Sequence, residues 1–150
     1  MDEHQGRIFA SLFLIANRLQ VLGDRLDERV TVKQWLLVAI IFKSGSGMLS
    51  IKEIARIVGA THQNVMQMVK SLKEKGFLDI FTDPKDRRIK RVSLTKKCLD
   101  YFQTRGDKEL EFLNHLFADF SYDEIELFSC YIEKLMSNIE KMEKAGDESR

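Results

Sequence analysis

At 150 residues, 44% hydrophobic and 31% charged, the chain is long enough for one compact domain with an attached region and too apolar to stay disordered. No apolar run approaches the roughly 20 residues that span a bilayer. The polar opening MDEHQGRIF has no secretory pattern, and two distant cysteines, Cys98 and Cys130, speak against a disulfide scaffold, so a cytoplasmic, membrane-free protein is expected. The formal charge of +1 hides an asymmetry: Ser50 to Lys97 holds twelve Lys/Arg against five Asp/Glu, or +7, and the remainder carries −6. A basic middle on a neutral scaffold is the charge pattern of a nucleic-acid-binding module.

In chain order, Asp2 to Glu28 repeats apolar residues at Ile8, Leu12, Ile15, Leu19, Leu22 and Leu26. Spacing of four and three is the seam of a helix lying along another helix. Thr31 reads as the N-cap of a second helix, Val32 to Lys43, apolar on most sides and therefore expected in the core. Ser44-Gly45-Ser46-Gly47 ends it. Ser50-Ile51-Lys52-Glu53 is a capping-box signature opening a short helix that stops near Val58-Gly59. Thr61 opens the next helix, predicted to run to Lys75 and halt at Gly76. Phe77 to Phe81 and Ile89 to Leu94 are strand candidates around the polar turn Asp83 to Arg88, which together predict a hairpin. Thr95 caps a helix predicted to continue unbroken to about Phe117, and Ser121-Tyr122-Asp123-Glu124 caps a final one with Ile125, Phe128, Ile132, Leu135, Ile139 and Met142 on one side. The polar tail from Lys144 is expected to fray. The fold class is thus mainly α with a small β-hairpin.

The stretch IKEIARIVGATHQNVMQMVKSLKEKGFL fits a helix-turn-helix. Ala55 supplies the small residue where two helices cross, Gly59 tolerates positive φ in the turn, and Val65 is the buried aliphatic of the second helix. Ile54, Ile57 and Val58 are assigned to the inner face of the first helix, and Val65, Met68, Val69 and Leu72 to that of the second. His62, Gln63, Asn64, Gln67, Lys70 and Ser71 are left facing outwards, with Thr61 at the helix start. Asn and Gln pair bidentately with adenine, Lys reaches guanine or phosphate, and the first turns of a recognition helix contact bases. Lys52 and Arg56 on the preceding helix are expected at the DNA backbone. On the hairpin, Lys85, Arg87, Arg88, Lys90 and Arg91 crowd around Asp86, a basic tip suited to a minor groove. Asp86, which would repel phosphate, is expected to pair with Arg88 and hold it extended.

Thr31-x-x-Gln34, the helix-turn-helix, Lys75-Gly76-Phe77-Leu78, Asp83-Pro84-x-Asp86-x-Arg88, Leu94-Thr95 and the long helices together resemble the MarR family of bacterial and archaeal regulators. The resemblance covers nearly the whole chain; Cys98 stands where the family usually has a small residue. It implies a winged helix-turn-helix, residues 31–97, between a dimerisation helix, residues 1–30, and further helices, residues 98–150, that complete the dimer. It implies a homodimer on double-stranded DNA with a pseudo-palindromic operator, recognition helices in successive major grooves, Arg88 in the minor groove and Asp86 bracing it. It also implies repression relieved by a small lipophilic or phenolic ligand. Phe13, Trp35, Phe42, Phe102 and Phe112 are candidate walls of that ligand's pocket.

Other chemistry finds less support. Cys98 follows Lys96 and Lys97 and is the candidate redox thiol, whereas Cys130, among Phe128, Tyr131 and Ile132, reads as core. His4, His62 and His115 have no His or Cys partner three or four residues on, so no metal and no cofactor is expected. No Gly-rich phosphate loop, His-Glu-x-x-His or nucleophile elbow is present, so no catalysis is expected. The alternatives are a winged-helix protein-interaction module without DNA affinity, or a redox- or metal-responsive regulator.

Overall fold

The structure is a computed structural model and describes residues 2–148. The chain divides into two compact units, Met1–Arg105 and Gly106–Arg150.

The first unit opens with α1 (Glu3–Asp24), whose N-cap Asp2 accepts from the His4 amide. Helix α2 (Val32–Lys43) starts at Thr31, where the predicted cap becomes a full capping box with Gln34. A short strand β1 (Met48–Ser50) leads into α3 (Ile51–Val58), whose first turn is closed by the Ser50/Glu53 box. Gly59 then turns left-handed at φ 69° and reverses the chain, a conformation that costs glycine little because it has no Cβ. Helix α4 (His62–Glu74) follows at once, capped by Thr61. Strands β2 (Leu78–Thr82) and β3 (Lys90–Leu94) form the predicted hairpin, and α5 (Lys96–Thr104) closes the unit.

The sheet order is β1-β3-β2, all antiparallel. Register is fixed by pairs such as Ile80 opposite Val92 and Leu49 opposite Val92, which turn apolar side chains to the helices. The core joins Leu37, Val38 and Ile41 of α2, Ile51 and Ile54 of α3, and Val65, Val69 and Leu72 of α4 to Phe77, Leu78, Val92 and Cys98. Each such aliphatic side chain contributes roughly 1.5–3 kcal/mol on burial. The α1–α2 loop is tied to α5 by Asp27, which accepts from the Tyr101 hydroxyl and the Arg29 amide and faces Arg105 Nε at 3.5 Å. Burial and that bond push the Tyr101 phenol up to about 12.

In the second unit, α6 (Gly106–Leu116) and α7 (Tyr122–Glu148) are separate helices, the latter opened by the predicted Ser121/Glu124 pairing.

Three expectations are corrected. The helix predicted from Thr95 to Phe117 breaks at Arg105, which takes the C-cap position while its guanidinium turns inwards over Tyr101 and Phe102. The following Gly106 is a poor helix former, so the break costs little. Helix α2 is not core on most sides, since Trp35, Leu36 and Phe42 are exposed. The cysteines exchange roles: Cys98 is buried at the start of α5 and Cys130 is exposed. Helix α7 continues past Lys144 through Glu148, and Ser149 and Arg150 lie outside the described residues.

Burial pushes the Cys98 thiol up to about 11. Since the thiolate is the reacting species, native protein at pH 7.5 should leave Cys98 unmodified by iodoacetamide over hours and alkylate it within minutes in denaturant, read by peptide mass mapping. Rapid native labelling of Cys98 would mean that α5 opens readily.

Candidate nucleic-acid interface

Two surfaces of the first unit carry the residues singled out above. The first is the outer face of α4. His62, Gln63, Asn64, Gln67 and Lys70 are exposed, and Thr61 at the N-cap is exposed as well while its hydroxyl accepts from the Asn64 amide at 3.2 Å. The face is outward because Val65, Val69 and Leu72 fix the opposite one in the core. Amide and imidazole groups in the first two turns are therefore free to meet a ligand. Lys52 and Arg56 are exposed on the neighbouring α3. Ser71 departs from expectation: it is half-buried and accepts from Gln34 Nε2 at 3.0 Å, so it faces α2 rather than solvent. Ile57 departs in the other direction, being 53% exposed rather than packed on the inner face of α3.

The second surface is the β2–β3 tip. Asp83 Oδ1 accepts from the amides of Lys85 (2.7 Å) and Asp86 (3.1 Å), and the Asp83 amide donates to the Ile89 carbonyl at 2.9 Å, which together fold the turn. The expected pairing of Asp86 with Arg88 is present and bidentate: Nε lies 3.1 Å from Oδ1 and Nη2 3.0 Å from Oδ2, while the Arg88 amide donates to Oδ1 at 3.0 Å. The Arg88 side chain is nonetheless 89% exposed. One cation is thus held in a fixed pose at the tip with its outer edge open. The same bond holds the Asp86 carboxyl below the usual carboxylate range. Because the folded value is depressed, the brace is intact above the ordinary value of 3.8 and weakens as pH falls through the folded one. Lys85 and Arg87 are exposed, and Lys90 Nζ donates to Thr82 Oγ1 at 2.9 Å.

Arg91, read from the sequence as part of the basic tip, is instead committed inwards. Its Nε binds Asp83, and its Nη1 lies 3.4 Å from Glu53 of α3. One guanidinium therefore ties the base of the hairpin to the helix-turn-helix. The clue was the Asp83-Pro84-x-Asp86 pattern, in which the first carboxylate caps a turn and attracts a cation from the facing strand. The Asp83 side chain is only 11% exposed and that of Arg91 29%, so removing the guanidinium strands a largely buried carboxylate and costs more than the roughly 0.2–1 kcal/mol of an exposed pair; Arg91→Ala should lower Tm by several degrees. The Lys85 and Asp86 amides should meanwhile exchange with solvent several-fold faster by hydrogen-exchange NMR. Unchanged exchange there would show that the turn holds without Arg91.

The predicted pocket residues do not converge on one cavity of the first unit. Phe13 is exposed on α1 and touches Phe9, Trp35 and Phe42 are exposed on α2, and Phe112 is half-buried on α6 of the second unit. Phe102 packs edge-on against Tyr101 and Phe77. A groove of about 350 Å³ lies beside these last two rings, lined by Glu28, Arg29, Lys75, Phe77, Lys97 and Tyr101. Among the described residues no group of three His, Cys, Asp or Glu could hold a metal ion, and no helix is long and apolar enough to cross a membrane.

Residues 30–89, from the start of α2 through the hairpin tip, match the sequence model of the MarR family. The transcriptional activatory protein BadR of Rhodopseudomonas palustris is 23% identical over 146 residues, 94% of this chain and 83% of that protein. The Escherichia coli regulators PrsX and PapX are longer, and the chain spans 64% and 63% of their length. A MarR/EmrR family transcriptional regulator from Acinetobacter sp. ADP1 shares the fold with a TM-score of 0.79 at 18% identity, over 91% of this chain and 97% of that one. The Staphylococcus aureus MepR–DNA complex gives 0.73 at 21%, over 87% and 97%. The chain is thus similar to the MarR family in sequence pattern across residues 30–89, and it shares the winged helix-turn-helix fold of the MarR/EmrR structure along 91% of its length.

Proposed function

We propose that the chain binds double-stranded DNA as a homodimer and regulates transcription from a pseudo-palindromic operator. The observation that carries this reading is the pairing of two surfaces in one unit: a polar outer face on α4 and, beside it, a projecting Arg88 held by Asp86. An exposed Gln and Asn pair near a helix start suits the adenine edge in a major groove, and a single fixed guanidinium suits a narrow minor groove. MepR, which shares the fold, has a structure on DNA.

The assignment is Thr61, His62, Gln63, Asn64 and Gln67 to base edges and their approach, Lys70 to phosphate, Lys85, Arg87, Arg88 and Lys90 to the minor groove and its rims, and Lys52 and Arg56 to the backbone. Ser71 leaves the set because its hydroxyl is used inside the unit. Helix α1 and helices α6 and α7 serve dimerisation, residues 31–97 serve DNA, and the protein works in the cytoplasm without catalysis. Repression follows where the operator overlaps a promoter. A small lipophilic or phenolic effector relieves it, and the groove beside Phe77 and Tyr101 has a volume near the lower bound of ligand sites, roughly 300 Å³.

The test is selection of bound sequences from random duplexes, followed by affinity measurements across salt concentrations. An enriched inverted repeat with half-sites about one helical turn apart, and a steep salt dependence, is expected. Absence of binding even at low salt would replace this reading with that of a protein-interaction module.

A further inference from the structure

Among the described residues, every side-chain hydrogen bond joining α4 to another element involves Ser71 or Lys75, at its C-terminal end. Both converge on one side chain of α2. Gln34 is 7% exposed, and both ends of its carboxamide are hydrogen-bonded. Oε1 accepts from the Thr31 amide at 3.3 Å and from Lys75 Nζ at 3.1 Å, and Nε2 donates to Ser71 Oγ at 3.0 Å. The orientation is unambiguous, because the Thr31 amide and the Lys75 ammonium can only donate. Lys75 Nζ also donates to the Arg29 carbonyl in the α1–α2 loop, and Lys97 Nζ of α5 donates to the Lys75 carbonyl at 2.8 Å. The last turn of α4 is thereby bound to the start of α2, to the loop before it and to α5.

We propose that Gln34 is a positioning residue for DNA recognition, setting the tilt of α4 through Ser71 and Lys75; this rests on the reading of α4 as the helix that meets bases. The remaining attachment of α4 is aliphatic, through Val65, Val69 and Leu72. Such packing holds a helix against its neighbours but fixes its angle less sharply than directional bonds do. Leverage makes the angle matter. Gln63 stands eight residues from Ser71, about 12 Å along the axis, so a tilt of about 5° at the anchored end moves Gln63 by about 1 Å. A displacement of that size breaks bidentate contacts to a base, whereas lysines on flexible stems still reach phosphates.

The informative quantity is therefore the ratio of affinity for the selected operator to affinity for random duplex, measured well below Tm so that every variant is folded. Gln34→Leu removes the three bonds while keeping the bulk. It should lower the ratio about tenfold, chiefly through the operator, with the random-duplex affinity and its salt slope little changed. Gln34→Glu keeps acceptors for Thr31 and Lys75 and can accept from the Ser71 hydroxyl, so it should restore the ratio to within about threefold of the parent. Ser71→Ala should reproduce part of the loss, and combining it with Gln34→Leu should add nothing, because both cut one link.

If Gln34→Leu weakens operator and random duplex equally, or leaves the ratio unchanged while lowering Tm, the residue merely stabilises the fold and the proposal is overturned. If the parent protein itself does not discriminate an operator, the reading of α4 fails instead. The parent measurement thus separates the two failures. Should Gln34→Leu prove poorly folded, Ser71→Ala carries the same comparison from the other end of the bond.

Discussion

Arg88→Ala is expected to cost on the order of a hundredfold in operator affinity while leaving Tm unchanged. The side chain is 89% exposed and, among the described residues, its hydrogen bonds go to Asp86, two residues away, so its removal leaves the core intact. On DNA, a desolvated charge-assisted bond contributes roughly 1.5–3 kcal/mol, and a dimer makes the contact twice. The slope of log affinity against log salt should fall by about two, one for each lost phosphate-neutralising charge.

Asp86→Ala distinguishes a brace from a mere neighbour. Removing a carboxylate from a DNA-facing tip should, by charge alone, tighten binding to every duplex. If Asp86 holds Arg88 in its working pose, operator affinity should instead fall by about tenfold, even as random-duplex affinity at low salt rises. Gel-shift or fluorescence titrations on both duplexes read the two effects separately. A variant that binds its operator more tightly than the parent would refute the bracing role.

The local chemistry of the fold was legible in the chain, and the reason is range. Thr31, Ser50, Thr61 and Thr95 each act on an amide within three residues, so their caps follow from spacing alone. Gly59 and Gly76 stop α3 and α4 by positive φ, again a property of the residue itself. The Asp86–Arg88 pair was readable because a carboxylate beside a phosphate-binding tip needs a cation to justify it. What escaped depends on partners far along the chain. Strand β1 is three residues long and exists by pairing with β3, more than forty residues on. The Gln34–Ser71 bond spans 37 positions and turned a residue assigned to the DNA face inwards. Arg91 looked like one more tip cation until its two carboxylates, Asp83 and Glu53, were seen on the other side. In α3, only eight residues long, Ile57 shares the apolar spacing of Ile54 yet finds no neighbour within the unit to cover it.

Ile132→Asp combined with Ile139→Asp is expected to turn the protein into a monomer and remove measurable operator binding. The argument is one of apolar surface within each unit. Leu127, Phe128, Tyr131, Ile132, Met136, Ile139 and Met142 are all exposed along α7, and Ile8, Phe9, Phe13 and Ile15 along α1. Apolar surface on that scale asks for a cover, and a second copy of the chain brings the same stripes. Two carboxylates per protomer placed in such a seam would each cost several kcal/mol to bury, enough to cancel association at micromolar concentration. Light scattering coupled to size exclusion should therefore give half the parent mass. Residues 2–105 should keep their structure, because Ile132 and Ile139 belong to the other unit, and the core amides of α4 should still be protected from exchange. Each monomer then presents one recognition helix and one wing, and loses the second half-site that made the operator tight. A variant that remains dimeric would place the interface elsewhere than α7, and one that is monomeric yet binds the full operator as tightly as the parent would show that DNA recognition does not require the pair.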